Sequence, residues 1–211
     1  MRYNYIAVEG NIGAGKTTLA TRIAQKYNGK LILEQFEDNP FLAKFYEDQE
    51  KYAFPLELSF LAERYQQLKK ELANQELFSD FTISDYFLNK SLIFARKTLN
   101  DDEYQLFITL FNIMNAHLPR PDILVHLFVG VKKLQHNIRN RGREYEQRIP
   151  DEYLEKIQDS YFNYLKQQPS LRILLLDINT LDFVAYPEHF QLIVETINQD
   201  YPRGITKVKL S

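Results

Sequence analysis

At 211 residues the chain suits one domain with a core of its own, and its 45% hydrophobic and 26% charged residues are ordinary for a globular protein. A net charge of −2 argues against a large nucleic-acid footprint, and the absence of cysteine excludes disulfides and thiolate chemistry. No apolar run approaches the ~20 residues of a membrane span, and the first strand opens close to Met1, so we expect no signal peptide and a cytoplasmic protein without membrane or nucleic-acid partners.

In chain order, apolar β-type runs fall at 5–8, 30–33, 81–84, 123–129 and 172–176. Helix-period segments fall at 16–27, 54–77, 88–99, 103–117, 131–139, 151–167 and 187–199. This alternation predicts an α/β fold with a five-stranded parallel sheet flanked by helices, one domain over 1–200. The tail, 201–211, has no clear helical period and reads as either disordered or an edge strand.

Between the first strand and the first helix stands GNIGAGKTT, residues 10–18. Gly10, Gly15, Lys16 and Thr17 match the G-x-x-x-x-G-K-[ST] phosphate loop. In such a loop the backbone N–H groups of Gly10, Asn11, Ile12, Gly13, Ala14, Gly15, Lys16, Thr17 and Thr18 surround phosphate oxygens, and the helix N-terminus adds its positive end. Lys16 would reach the β- and γ-phosphates, and the Thr17 hydroxyl would bind Mg²⁺. The motif predicts a protein that binds a nucleoside triphosphate.

Ligands of parallel sheets sit beyond the carboxyl ends of the strands. Glu9, Glu34, Asp85 and Asp177 close four of the expected strands. A strand-end acid is often only a cap or turn residue. Three of them beyond a phosphate loop suggest a metal–nucleotide site with an acid or base nearby. Glu57 and Arg64 lie seven residues apart on the longest helical segment, which puts them ~10.5 Å apart on one face with Phe60 and Leu61 between. A charge on an apolar face needs a partner if buried, and the ordinary partner would be a neighbouring helix. Arg139, Arg141 and Arg143, with Gly142 among them, form the densest basic cluster. Alternate arginines beside a hinge-like glycine can fold over a triphosphate.

These residues resemble the deoxynucleoside kinase family over nearly the whole chain. The match includes EGNIGAGKTT, Glu34, FYEDQEKYAFPLELSFLAER, SDYFLNKSLIFA, RGREYEQRIP followed by EYLEKI, and LDIN. The tyrosine-to-arginine stretch and the RGREYEQRIP segment are far more specific than the phosphate loop. The resemblance implies a P-loop kinase fold with an arginine-bearing lid at about 139–148. It implies ATP- and Mg²⁺-dependent phosphorylation of the 5′-hydroxyl of a deoxynucleoside, a purine favoured, in deoxynucleotide salvage.

By resemblance, Glu34 accepts the 5′-hydroxyl proton, Asp85 shares the metal with Thr17, and Arg64 and Glu57 face the base. Tyr46 and Glu146 hold the 3′-hydroxyl, and Arg141 and Arg143 are lid arginines that act with Lys16 on the transferring phosphoryl group. A homodimer paired through helices is implied too. The chain departs from the family pattern at four places. Tyr86 stands where an arginine is usual, Ser91 for an aspartate, Glu57 for a glutamine and Asn137 for the first lid arginine. A non-catalytic accessory subunit of the same fold, or a nucleoside monophosphate kinase, are the alternatives. Retention of Lys16, Thr17, Glu34, Arg64, Arg141 and Arg143 argues against the first, and Tyr46 with Glu146 against the second.

Overall fold

The computed structural model describes residues 1–35, 39–74 and 78–211, with the backbone alone at Tyr46 and Tyr145. In chain order the first half comprises β1 (Tyr5–Gly10), α1 (Lys16–Lys26), β2 (Gly29–Ile32), α2 (Leu42–Glu47), α3 (Gln49–Ala73), β3 (Phe81–Ser84), α4 (Lys90–Thr98) and α5 (Asp101–Asn115). The second half comprises β4 (Ile123–Phe128), α6 (Val131–Arg141), a 3₁₀ turn (Glu144–Glu146), α7 (Asp151–Lys166), β5 (Arg172–Asp177), α8 (Pro187–Ile197) and β6 (Gly204–Lys209). Two compact units divide these elements. One is Met1–Leu31, Phe78–Tyr86 and Pro121–Ser211; the other is Ile32–Leu77 and Phe87–Arg120.

The first unit is built on a six-stranded sheet in the order β2-β3-β1-β4-β5-β6. β1 pairs in parallel with β3, Tyr5 opposite Thr82, and with β4, Ile6 opposite Ile123. Every residue of β1 is buried, as expected of a strand with parallel neighbours on both sides. Ile6, Val8, Ile83, Val125, Leu174 and Leu176 form the core with Leu19 and Ile23 of α1 and Phe190 and Ile193 of α8. Fully burying one such side chain stabilises the fold by ~1.5–3 kcal/mol.

The expectation of five strands is corrected by the tail. β6 pairs in parallel with β5, Ile173 opposite Ile205 and Leu175 opposite Lys207. The chain is led there by Arg172, whose Nε donates to Tyr201 O at 2.5 Å, and by the Gly204 N–H, which donates to Leu171 O at 2.7 Å. GITKVK is half exposed and edge-placed, with lysines along it, so it lacks the apolar run by which the other strands were recognised.

The second unit is helical. α3 begins at Gln49 rather than near 54, because the Asp48 carboxylate accepts the Lys51 N–H at 3.1 Å and caps it, and Pro55 lies inside the helix. Residues 75–77 of the expected helix lie outside the described residues. α5 opens with a capping box: Asn100 accepts the Glu103 N–H, and Glu103 accepts the Asn100 N–H. α2, at six residues, is too short to show a period in the sequence.

Candidate active site

The first unit carries the phosphate loop between β1 and α1. Gly10 has φ 149°, and a Cβ there would lie 2.7 Å from Leu127 O; Gly13 has φ 78°, and a Cβ would lie 2.8 Å from Leu134 O. Both positions demand glycine. Asn11 anchors the loop, its Nδ2 donating to Leu154 O at 2.7 Å and its Oδ1 accepting the Ile12 N–H at 2.8 Å. No side chain caps α1, whose N-cap is Gly15, so its first turn presents backbone donors suited to an anion. Lys16 Nζ donates to Gly10 O and Asn11 O, both at 2.9 Å, and so lies across the loop.

Beside the loop, Thr17 Oγ1 donates to Asp85 Oδ2 at 2.5 Å. Asp85 follows β3 directly, so the parallel pairing of β3 with β1 delivers it to this end of the sheet. The other two strand-end acids of this unit have different work. Glu9 is buried and accepts the Tyr161 hydroxyl at 2.9 Å. Asp177 Oδ1 accepts from the N–H and Nδ2 of Asn179, whose Oδ1 accepts the Gly130 N–H at 2.6 Å, so Asp177 builds a loop. His126 lies within 5.0 Å of the Tyr161 ring, and burial, aided by the charge of Lys16, pushes its pKa down to about 3.

The segment expected to form a lid belongs to the same unit. α6 ends at Arg141, and Gly142 turns the chain with φ 74°. Arg141 Nη1 and Arg143 Nη1 lie 3.7 and 3.3 Å from Glu146 Oε1. Glu146 Oε2 is buried without a hydrogen-bond partner among the described residues. Arg139 is exposed on α6. Asn137 Nδ2 donates to Gly13 O at 2.8 Å, which ties α6 to the phosphate loop where the family pattern has an arginine.

The second unit holds a separate cluster around Glu34. Gln67 Nε2 of α3 donates to Leu33 O at 2.8 Å and fixes the chain beside Glu34. Arg64 Nε and Nη2 both reach Glu34 Oε1 at 2.8 Å, and Arg64 Nη1 donates to Ser91 Oγ at 2.8 Å. Lys90 Nζ lies 2.5 Å from Glu34 Oε2. Burial alone would raise the Glu34 pKa, but Lys90 and Arg64 overcome it and hold the carboxyl down at about 2. Glu57 is 4% exposed; its Oε1 accepts the Thr98 hydroxyl at 2.9 Å, and its Oε2 is buried with no hydrogen-bond partner among the described residues. Burial raises its pKa to about 7, against the pull of Arg64, the Thr98 hydrogen bond and Lys90. Tyr46 lies on α2, with its backbone alone described.

A family profile described as deoxynucleoside kinase matches residues 6–201. The chain belongs to the deoxynucleoside kinase family. It is 35% identical to a deoxyguanosine kinase of Bacillus subtilis (strain 168) over 199 residues, which is 92% of this chain and 96% of that one. It is 30% identical to a deoxyadenosine/deoxycytidine kinase of the same organism, covering 91% and 90% of the two chains. Its fold is similar to that of a deoxyadenosine kinase from M. mycoides with bound dATP, at a TM-score of 0.77 and 27% identity, covering 92% of this chain and all of that one. As a deoxynucleoside kinase the chain is an enzyme that phosphorylates deoxynucleosides with ATP as donor.

Within this kinase each unit gathers its own subset of the expected residues. Lys16, Thr17 and Asp85 come together at the loop, and Arg141, Arg143 and Glu146 in the lid. Glu34, Glu57 and Arg64 lie in the helical unit. Lys90 and Thr98 escaped the sequence reading as partners of Glu34 and Glu57. Both lie on α4: the packing of α4 with α3 pairs Thr98 with Glu57, and Lys90 meets Glu34 on the segment that follows β2.

Glu57 burdens the fold at alkaline pH. Its carboxyl ionises near 4.5 when unfolded and near 7 when folded, so ionisation favours the unfolded chain increasingly between those values. Glu57→Gln is expected to be more stable than wild type by roughly 3 kcal/mol at about pH 8.5, the gap closing as pH falls to the unfolded value. Urea melts across that range check it, and a gap independent of pH would contradict the shift.

Proposed function

We propose that this kinase phosphorylates deoxyguanosine ahead of the other deoxynucleosides, and that it does so through the residues gathered in the two units. The observation that carries the base preference is Glu57, buried with one carboxylate oxygen unclaimed by hydrogen bonds among the described residues and Arg64 on the same helix. An ionised carboxylate only accepts. The Watson–Crick edge of guanine offers two adjacent donors, N1–H and the 2-amino group, which one carboxylate can take together. Adenine and cytosine each set a ring acceptor against it. Thymine has a single N–H. An acceptor left buried against an acceptor costs ~1–3 kcal/mol, or roughly a factor of 5 to 150. The similarity to the Bacillus subtilis deoxyguanosine kinase supports the same preference.

Because the Glu57 carboxyl titrates near 7, the advantage of deoxyguanosine over deoxyadenosine should grow as pH rises through that value. Specificity constants for the four deoxynucleosides at about pH 8 test the proposal, with deoxyguanosine expected first by at least about fivefold. Glu57→Gln should shift preference toward deoxyadenosine or deoxycytidine. Deoxyadenosine ahead in the wild-type protein would overturn it.

In the reaction, Glu34 orients the 5′-hydroxyl and receives its proton while Lys16 and the loop N–H groups hold the donor phosphates. Transfer states of this kind are loose, so orientation of the hydroxyl matters as much as basicity. Arg141 and Arg143 offset charge on the phosphoryl group, and Tyr46 and Glu146 hold the 3′-hydroxyl. Mg²⁺ takes oxygen ligands and keeps several waters, and the Thr17 hydroxyl and Asp85 carboxylate form such a pair at 2.5 Å. These two residues would hold the ion that accompanies ATP, where it would offset phosphate charge. Salvage of deoxynucleosides in the cytoplasm fits this chemistry. A homodimer is supported by α5, which exposes Leu106 and Ile113, at 52% and 59%, two turns apart on one face.

A further inference from the structure

Lys90 is used by no step above, yet its side chain is only 12% exposed and its ammonium sits 2.5 Å from the Glu34 carboxylate. We propose that Lys90 is a catalytic residue: it yields Glu34 Oε2 to the incoming 5′-hydroxyl and binds a non-bridging oxygen of the phosphoryl group as that group passes to the 5′-oxygen. The proposal rests on the reading of Glu34 as the carboxylate that takes the hydroxyl proton.

Geometry is the first support. Arg64 occupies Glu34 Oε1 with two N–H groups and is itself tied to Ser91, so the hydroxyl must approach Oε2. A hydroxyl donating to Oε2 at an ordinary distance lies about 4–5 Å from an ammonium bound to the same oxygen. The non-bridging oxygens of a phosphoryl group joined to that hydroxyl oxygen then come within hydrogen-bond reach of Nζ. Arg64 is held by three N–H contacts, whereas the Lys90 ammonium has Glu34 as its one hydrogen-bond partner among the described residues. A four-carbon stem lets it follow the phosphoryl group.

Charge is the second support. One carboxylate faces two cations, Arg64 and Lys90, and Glu57 beside them is only partly ionised near neutrality. Arg64 alone would balance Glu34. At and below neutrality that surplus positive charge in a buried cluster is costly with a neutral nucleoside and is matched when an anionic phosphoryl group arrives; above it Glu57 ionises, and the geometry alone carries the expectation at about pH 8.5.

The step balances. The O5′–P bond forms, the bond from that phosphorus to the ADP oxygen breaks with its electron pair leaving on ADP, and the hydroxyl proton passes to Glu34. Lys90 exchanges no proton.

Lys90→Met removes the charge and keeps the length. At about pH 8.5, far above the range in which Glu34 titrates, the variant is expected to lose about 100-fold in kcat with deoxyguanosine or deoxyadenosine as acceptor. Deoxyguanosine binding without ATP, followed by calorimetry, should stay within about threefold. The acid side of the kcat–pH profile should also move up, since Glu34 loses the stronger of its two charge partners. A residue that served only to set the charge of Glu34 would show that movement and regain full turnover at high pH. A loss below about tenfold at about pH 8.5 therefore overturns the proposal. Glu34→Gln is measured alongside, and its retaining wild-type turnover would instead overturn the reading of Glu34. Should Lys90→Met fail to give a cooperative melt, Lys90→Gln, which keeps a hydrogen bond to Oε2, is judged by the same threshold.

Discussion

Glu34→Gln should lower turnover by about 10²–10⁴-fold while deoxynucleoside binding stays within about threefold. Glutamine keeps the shape and can still accept from Arg64 on one side, but it has no basic oxygen for the 5′-hydroxyl proton. The free protein also sets the pH range of the effect. With Arg64 and Lys90 on its two oxygens, Glu34 is held down at about 2, so it stays ionised throughout the working range. The wild-type profile should therefore show no loss of activity from Glu34 protonation above about pH 4. So low a pKa makes Glu34 a weak base. In the proposed role its contribution would lie in aligning the hydroxyl on Oε2 and taking the proton late, as the O5′–P bond forms and the hydroxyl acidifies. Single-turnover rates with ATP·Mg²⁺ and calorimetry with the deoxynucleoside separate the two effects. Turnover within a few-fold of wild type would remove Glu34 from the role and direct attention to Asp85.

The sequence carried the fold wherever burial imposed an apolar run. β1, β4 and β5 are buried central strands and were read to within a residue or two. β6 is an edge strand with one exposed side, and its alternation of lysine and valine carries no such signal. The grouping of the proposed donor-side residues was equally legible. The phosphate loop is contiguous and its glycines are required by steric contact, so Lys16 and Thr17 follow from spacing alone. Asp85 needed only a strand end.

On the proposed acceptor side the sequence named Glu34, Glu57 and Arg64 singly, and their pairings were opaque in it. Ser91 could be read as releasing Arg64 from its usual aspartate. Instead its hydroxyl accepts from Arg64, and the guanidinium turns two further N–H groups onto Glu34. Lys90, close to Ser91 on α4, pairs with Glu34, and Glu57 turns to Thr98. Which acid a buried cation chooses depends on how α3, α4 and the segment after β2 pack together. No periodicity records packing of that kind.

Lys16→Ala should abolish phosphoryl transfer, with a fall of about 10³-fold or more, and leave deoxynucleoside binding intact. In the free protein the Lys16 ammonium bridges Gly10 O and Asn11 O across the loop, so its removal costs the loop two hydrogen bonds. The fold tolerates that, because the loop keeps independent anchors: Asn11 to Leu154 O, and the Asn137 amide to Gly13 O. What the loop cannot replace is a mobile positive charge among otherwise fixed backbone donors. A preorganised donor aimed at developing charge is worth about 10²–10³-fold singly, and a full charge on the β- and γ-phosphates acts on both donor binding and transfer. The proposed deoxynucleoside groups Glu34, Glu57 and Arg64 belong to the other compact unit, where Arg64 pairs with Glu34 and Thr98 with Glu57. Calorimetry with deoxyguanosine alone should therefore give a dissociation constant within about threefold of wild type. Parallel losses of transfer and of deoxynucleoside affinity would mean that Lys16 holds the fold together and has no specific part in handling the phosphates. Transfer lost with affinity kept assigns Lys16 to the donor phosphates.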